Sequence, residues 1–254
     1  MKKSDETIRE DITEFCTLDY PCAYLPGRTV RMYYRYTENA DFDFCSTLIE
    51  RGWRRFGNYY FYPVCNGCDS CKSLRICVDT FEMTKSRKKA LRRNRDTKIM
   101  IRTPTVTTDH LELYNRYHRW KSEKDGWKYR EIGFREYYEN FAEGAHDFGK
   151  EVLYFIDDRL VGVDLVDLVK DGLSSVYFFH DPDYAWYSLG TFSLLKQIDF
   201  ARELGLEYIY LGYWVDGCRA FAYKSTFKPL EILDGFPPLD ETPLWREFRD
   251  GSSI

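Results

Sequence analysis

The stretch Ser174-Ser-Val-Tyr-Phe-Phe-His-Asp-Pro-Asp-Tyr-Ala-Trp-Tyr-Ser-Leu-Gly-Thr191 joins a β-prone run to a helical one. Ser174 to Phe179 is rich in residue types that favour a pleated, part-buried surface. From Leu189 to Leu204, Phe192, Leu195, Ile198, Ala201 and Leu204 recur at helical spacing, with Ser188 placed as N-cap and Gly205 as the stop. His180, Asp181 and Ser188 therefore gather with the unpaired backbone N–H groups of a helix start. Such a junction suits an anionic or carbonyl-bearing ligand.

Working outward, Val152–Ile156, an Asp157-Asp158 turn, Arg159–Val169 and a Lys170-Asp-Gly172 turn lead into the junction, and Leu206–Leu211 with Gly212-Tyr-Trp follows its helix. Three antiparallel strands, a helix and a strand returning beside the third is the order of an N-acetyltransferase-like (GNAT) core. The expected class is α+β: a mixed, mainly antiparallel sheet with helices, plus an aromatic- and cysteine-rich N-terminal lobe. Coenzyme A enzymes of that fold carry a glycine-rich phosphate loop at the start of this helix. Trp186-Tyr-Ser-Leu-Gly-Thr191 stands in its place, which disfavours coenzyme A as acyl donor.

The N-terminal half opens with a polar lead-in over residues 1–20, then a path fixed by Pro21, Pro26 and Gly27. Strands are expected over Arg31–Tyr36, Trp53–Tyr62 and Val78–Phe81, and helices over Phe42–Arg51, Thr84–Asp96, Asp109–Lys124 and Phe134–Glu143. Thr103-Pro-Thr-Val-Thr-Thr108 is the expected boundary between a lobe of residues 1–102 and a catalytic domain of residues 103–254. His110 and His118 read as helix-face residues with no special role.

With no secretory leader and no run of eighteen apolar residues, the chain reads as cytoplasmic, without a membrane span. Its eight cysteines are then metal ligands, redox groups or core residues, not a disulfide framework. Cys65-Asn-Gly-Cys-Asp-Ser-Cys71 has the spacing with which zinc sites and iron–sulfur clusters begin, with Cys22 or Cys77 as fourth ligand. The competing reading is reduced thiols in a tight loop. No cofactor is required by the chemistry inferred below.

The net charge of −4 excludes a general polyanion binder, but the charge is unevenly placed. Lys85, Arg87, Lys88, Lys89, Arg92, Arg93, Arg95 and Lys98 against Asp96 give +7 within fourteen residues, leaving −11 for the rest. A charge run is ordinarily a solvated helix face. This one lacks acidic partners at helical spacing, so an external anion is expected to compensate it, and phosphate backbone contact is the reading preferred. The 18% aromatic content suits either a tight core or base-stacking surfaces.

Several motifs in order carry a resemblance: Cys22-Ala-Tyr-Leu-Pro-Gly-Arg28 with Arg31, the segment Tyr62 to Arg75, Ser86-Arg87 with Arg93-Asn94, Phe179-His-Asp-Pro182, Ser188-Leu-Gly190, Tyr210 to Trp214, and Tyr223-Lys224 with Phe227 and Pro229. From about residue 20 to 233 the chain resembles the aminoacyl-tRNA–protein transferases, most nearly the bacterial leucyltransferases for N-terminal aspartate and glutamate. The resemblance implies transfer of an aminoacyl group, leucine in that branch, from tRNA to the α-amine of proteins with acidic N-termini, marking them for degradation. It implies aminoacyl-tRNA and such proteins as partners, and a monomer is favoured. Arginyltransferases of the family carry a Cys-x-x-Cys near the N-terminus; Cys22-Ala-Tyr-Leu25 lacks the second sulfur.

Under that resemblance the expected sites are as follows. His180 and Asp181 handle protons or hold the acceptor, backbone N–H groups near Ser188, Leu189 and Gly190 receive the oxyanion, and Tyr213, Tyr223 and Lys224 line the same cleft. Arg28, Arg31 and Arg75 are candidates to pair the acceptor's carboxylate. Lys85, Arg87, Lys88, Lys89, Arg92, Arg93 and Arg95 are candidates for tRNA. The rival readings are a coenzyme A-dependent acetyltransferase and a non-catalytic RNA-binding module with a structural metal.

Overall fold

A computed structural model describes residues 11–249; most of the polar lead-in expected at the start lies outside the described residues. Strand β1 (Thr13–Cys16) is followed by the short pair β2 (Tyr20–Pro21) and β3 (Thr29–Val30), then β4 (Met32–Tyr36), helix α1 (Phe42–Glu50), β5 (Arg54–Phe56) and β6 (Tyr59–Pro63). The order β1-β4-β6-β5 makes a four-stranded sheet. The single strand expected over residues 53–62 is thus a hairpin. Gly57 takes φ of +55°, and a Cβ there would lie 1.9 Å from the Glu139 carbonyl oxygen, so only glycine serves the turn.

The chain continues through β7 (Cys71–Cys77), α2 (Lys85–Arg93), β8 (Lys98–Arg102), α3 (Thr108–Asp125) and α4 (Phe134–Tyr137) with a π-helical turn over Tyr138–Ala142. Then come β9 (Gly149–Ile156), β10 (Arg159–Val169), β11 (Gly172–His180), a 3₁₀ turn over Pro182–Tyr187, α5 (Leu189–Glu203), β12 (Tyr208–Val215), β13 (Leu230–Leu233) and β14 (Trp245–Glu247). The large sheet has the order β14-β13-β7-β12-β11-β10-β9-β8. The expected GNAT-like run is present: β9, β10 and β11 are antiparallel neighbours, and β12 returns after α5 parallel to β11.

The strand expected over residues 78–81 is displaced. The backbone of Cys71–Cys77 is paired with β12 along its length and with β13 over Leu74–Ile76, whereas Phe81 N–H bonds back to the Val78 carbonyl in a turn. The large sheet draws β7 and β8 from before residue 103 and six strands from after it.

Alternation along the strands gives the sheet two apolar faces. Leu153, Val163 and Phe179 pack under Leu111 and Leu113 of α3 and Tyr137 and Phe141. On the other face Val152, Tyr154 and Val161 meet Leu189 and Phe192, and Leu194, Leu195 and Ile198 of α5 pack on Leu74, Ile76 and Ile209 with Ala90 of α2. Each such buried side chain contributes about 2 kcal/mol. Helices α2 and α5 are thereby neighbours on one face, which brings the basic run to the strand-to-helix junction.

Candidate active site

Strands β11 and β12 pair only over Gly172–Ser174 with Tyr208–Tyr210 and then separate. Carbonyls freed by such a splay need donors. Two cations supply them. Arg54 donates through Nη1 to Ser174 Oγ at 3.3 Å and through Nη2 to the carbonyls of Ser175 and, at 3.2 Å, Val176. From the opposite side Lys224 Nζ donates to the Leu211 carbonyl at 2.7 Å and the Tyr213 carbonyl at 2.6 Å. Gly212, at the register shift of β12, lies so close that a Cβ would sit 2.6 Å from Arg54 Cζ, and its φ is +69°. Among the described residues neither cation forms an ion pair. Burial, then the positive charge of Arg54, pushes the Lys224 amine well down.

Tyr213, Tyr223 and Lys224, expected to line one cleft with His180 and Ser188, lie around the splay. Tyr213 is buried and donates its hydroxyl to the Phe61 carbonyl at 3.1 Å; burial raises its phenol well above the ordinary value. Tyr223 is half-exposed, pushed up to about 12 by burial, and lies within electrostatic reach of Arg54, Asp164 and Tyr117. Asp164 is fully buried beneath α5, where Ser193 Oγ at 2.5 Å and Gln197 Nε2 at 2.8 Å donate to it. Burial raises its carboxyl to about 7.

At the far end of β11, His180 Nδ1 lies 3.1 Å from the Asp181 carbonyl oxygen. A carbonyl only accepts, so Nδ1 carries the hydrogen and Nε2 of the neutral ring keeps the lone pair. Burial lowers the imidazole pKa, favouring that neutral form. The ring stacks near Phe178 at 5.7 Å and faces Tyr117 at 5.3 Å and Trp120 at 6.1 Å. Asp181 is different from the expectation. Its carboxylate is 1% exposed and taken by Arg159 at 2.9 Å, Arg116 at 3.2 Å and the Asp183 N–H at 3.0 Å. It closes the turn and offers no free oxygen for proton transfer.

Ser188 begins α5 but adopts φ of +56°, so its hydroxyl makes no capping bond and accepts from Arg93 Nη1 at 3.3 Å instead. Leu189 is buried in the core under α5. Gly190 lies against Phe178, whose ring also contacts His180. His110 and His118 are not the plain helix-face residues expected. His110 is buried against Glu151 at 3.2 Å, and His118 Nε2 meets the Tyr177 hydroxyl at 2.8 Å.

The three arginines expected to pair an acidic acceptor are elsewhere. Arg28 reaches the Gly67 carbonyl at 3.4 Å, Arg31 pairs with Asp19 at 2.6 Å, and Arg75 pairs with Glu231 at 2.7 Å. The Arg75 guanidinium also lies 3.5 Å from the Tyr208 ring centre and 4.4 Å from that of Trp245. Cys22, Cys65, Cys68 and Cys71 are free thiols, and Cys65, Cys22, Cys68 and an unforeseen neighbour, Cys218, lie within electrostatic reach of Cys71, whose thiol burial pushes up to about 12. Yet among the described residues no three Cys, His, Asp or Glu side chains converge as a metal site, and Cys77 is turned toward Glu231. The zinc or iron–sulfur expectation thus finds no assembled ligand set among the described residues.

Helix α2 is capped by Thr84 as expected, its hydroxyl accepting from the Arg87 N–H at 3.3 Å. Lys85, Lys88, Lys89 and Arg92 are exposed and form no ion pair among the described residues, while Arg95 pairs with Asp96 at 3.0 Å. Arg87 is not available to an RNA. It is buried between Phe81 and Phe227, 4.6 and 4.7 Å from their ring centres, and donates to the carbonyls of Glu82 and Thr226.

Sequence reading missed Arg54 and Asp164. A signal existed for the first: adjacent Arg54 and Arg55 in an aromatic strand must point to opposite faces. Arg55 indeed turns to the buried Asp167, at 2.6 and 2.8 Å.

A mainly antiparallel sheet that splays beside a crossover helix, with the basic helix α2 tied to the rim, has the GNAT-like acyltransferase architecture. Residues 20–89 match the model for the N terminus of arginine-tRNA-protein transferase and residues 109–234 that for its C terminus. An aspartate/glutamate leucyltransferase of Campylobacter jejuni is 44% identical over 234 residues, 92% of this chain and 98% of the relative. One of Helicobacter hepaticus is 42% identical over 237 residues, 93% of this chain and 98% of the relative. Among solved structures FemX aligns with a TM-score of 0.48 at 9% identity, over 65% of this chain and 60% of its own. The chain belongs to the aminoacyl-tRNA–protein transferase family, in the bacterial leucyltransferase branch, and is an aminoacyltransferase. Among the described residues no helix is long and apolar enough to cross a membrane.

Proposed function

We propose that the protein transfers leucine from leucyl-tRNA to the α-amine of proteins whose first residue is aspartate or glutamate, marking them for degradation. The observation that carries this reading is the likeness to the leucyltransferases, 44% over 98% of the relative's length. The reaction is aminolysis of an activated ester. The α-amine attacks the carbonyl carbon, the bond to the ribose oxygen breaks, and the amine's proton ends on that oxygen. Nothing is oxidised or reduced, and no covalent enzyme intermediate is needed.

His180 suits the proton-handling role, because its Nδ1 is tied to the Asp181 carbonyl and Nε2 of a neutral imidazole can accept. The unpaired N–H groups at the start of α5, beside Gly190, suit the oxyanion, since Ser188 does not cap them. Arg54 replaces Arg28, Arg31 and Arg75 as partner for the acceptor's acidic side chain: it is held on the splayed strand and has no counter-ion among the described residues. Tyr223 and Lys224 line the same opening. The exposed cations of α2 suit the phosphates of the tRNA.

The test is transfer of labelled leucine from leucyl-tRNA to peptides beginning with Asp, Glu, Gln or Lys, with wild type and His180→Ala. Transfer confined to the acidic peptides, reduced about 100-fold in kcat by the substitution, is the expected result. Absence of transfer from every charged tRNA tried refutes the reading.

A further inference from the structure

Between β11 and α5 one large aromatic ring stands in solvent: Trp186 is 68% exposed. It is nevertheless fixed from behind. The Arg93 guanidinium lies 3.7 Å from the centre of an indole ring, and Arg93 Nη1 donates to the carbonyl of Trp186 itself at 2.9 Å. Next to it, buried Asn94 donates to the Tyr187 carbonyl at 2.6 Å. The end of α2 is thereby laced to the backbone of Trp186 and Tyr187 and to the Ser188 hydroxyl. One face of the indole meets a cation and the ring remains largely open to solvent, so a planar group can stack on it without first ordering a mobile side chain.

The surroundings indicate which planar group. The same helix presents Lys85, Lys88, Lys89 and Arg92 to solvent with no acidic partner among the described residues. A fixed flat ring at the end of a cationic surface is how proteins hold unpaired nucleic-acid strands: phosphates follow the cations and bases stack on the aromatic. We infer that Trp186 is the stacking platform for an unpaired nucleobase at the 3′ end of the tRNA, with Arg93 as the residue that positions the ring. The inference rests on the leucyl-tRNA reading above and adds the element that guides the ester-bearing end from α2 to the splay.

The experiment uses the full chain and an acceptor-stem minihelix carrying 2-aminopurine at each unpaired 3′ position in turn. Stacking on wild type is expected to quench at least one position, and Trp186→Ala to restore its fluorescence. Trp186→Ala is expected to weaken minihelix binding about tenfold and Trp186→Phe only about twofold. A minihelix trimmed of its unpaired nucleotides is expected to bind wild type and Trp186→Ala alike. Equal weakening for both minihelices, no quenching at any position, or a raised KM for the acceptor peptide with unchanged minihelix affinity each overturns the inference. Leucyl transfer by wild type is read separately. Transfer that persists without a Trp186 effect removes only the platform, and quenching without transfer removes only the leucyl reading.

Discussion

The two ends of the free part of β11 hold charge in opposite ways. At its tip Asp181 is closed: two arginines and a backbone N–H consume its carboxylate. At the splay Arg54 is held by carbonyl and hydroxyl dipoles and has no acidic partner among the described residues. A charge balanced by opposite charges stabilises a fold and has little left to offer a ligand. A cation among dipoles keeps its attraction for an anion. The identity of a residue in a motif therefore says less about chemistry than what its neighbours have already taken.

Substitution at the open end should strike catalysis hardest. Arg54→Ala is expected to lower kcat/KM for peptides with acidic N-termini about 100-fold, measured by steady-state leucyl transfer on protein whose circular dichroism is unchanged. Unchanged kinetics would break the contrast. At the closed end, Asp181→Asn is expected to cost about 2 kcal/mol of stability in urea denaturation while leaving kcat/KM within about threefold. A folded but inactive variant would mean that the clamp takes part in the reaction.

The same contrast sharpens along α2. Charge reversal of Lys88 and Arg92 to Glu is expected to weaken tRNA binding at least about tenfold and to reduce the salt dependence of log Kd by about 2, whereas Arg87→Ala should leave the salt dependence intact and lower stability. The smallest effect concerns His118, whose pKa burial and Lys121 push down from 6.5 to about 4. The unfolded chain then binds a proton that the folded chain refuses between those values, so stability should fall as pH drops from 6.5 toward 4. His118→Phe is expected to flatten that fall, read as the difference in urea midpoint between pH 7.5 and pH 5.

The core from Gly149 to Val215 was legible because its signals are local: alternating strands, acidic and glycine turns, a periodic helix. What was hidden depends on pairing between distant segments. Cys71–Cys77 reads as the end of a thiol motif, and only β12 and β13 on either side make it a central strand. Gly57-Asn58 was passed over inside an aromatic run although it has the composition of a hairpin turn. For the site, His180 and the end of β12 were visible as polar or aromatic residues beside a junction. Arg54 was not, because it comes from a different sheet and enters the splay only once the tertiary fold exists.

The bonds from Arg93 and Asn94 to the carbonyls of Trp186 and Tyr187 give the molecule the quality of a gauge. With α2 and the start of α5 locked together, the span between the exposed cations of α2 and the start of α5 is a constant. On the function proposed above, a tRNA whose unpaired tail is too short would leave its ester outside the proposed site, and one too long would overshoot it. Discrimination by tail length then needs no base-specific contact at all.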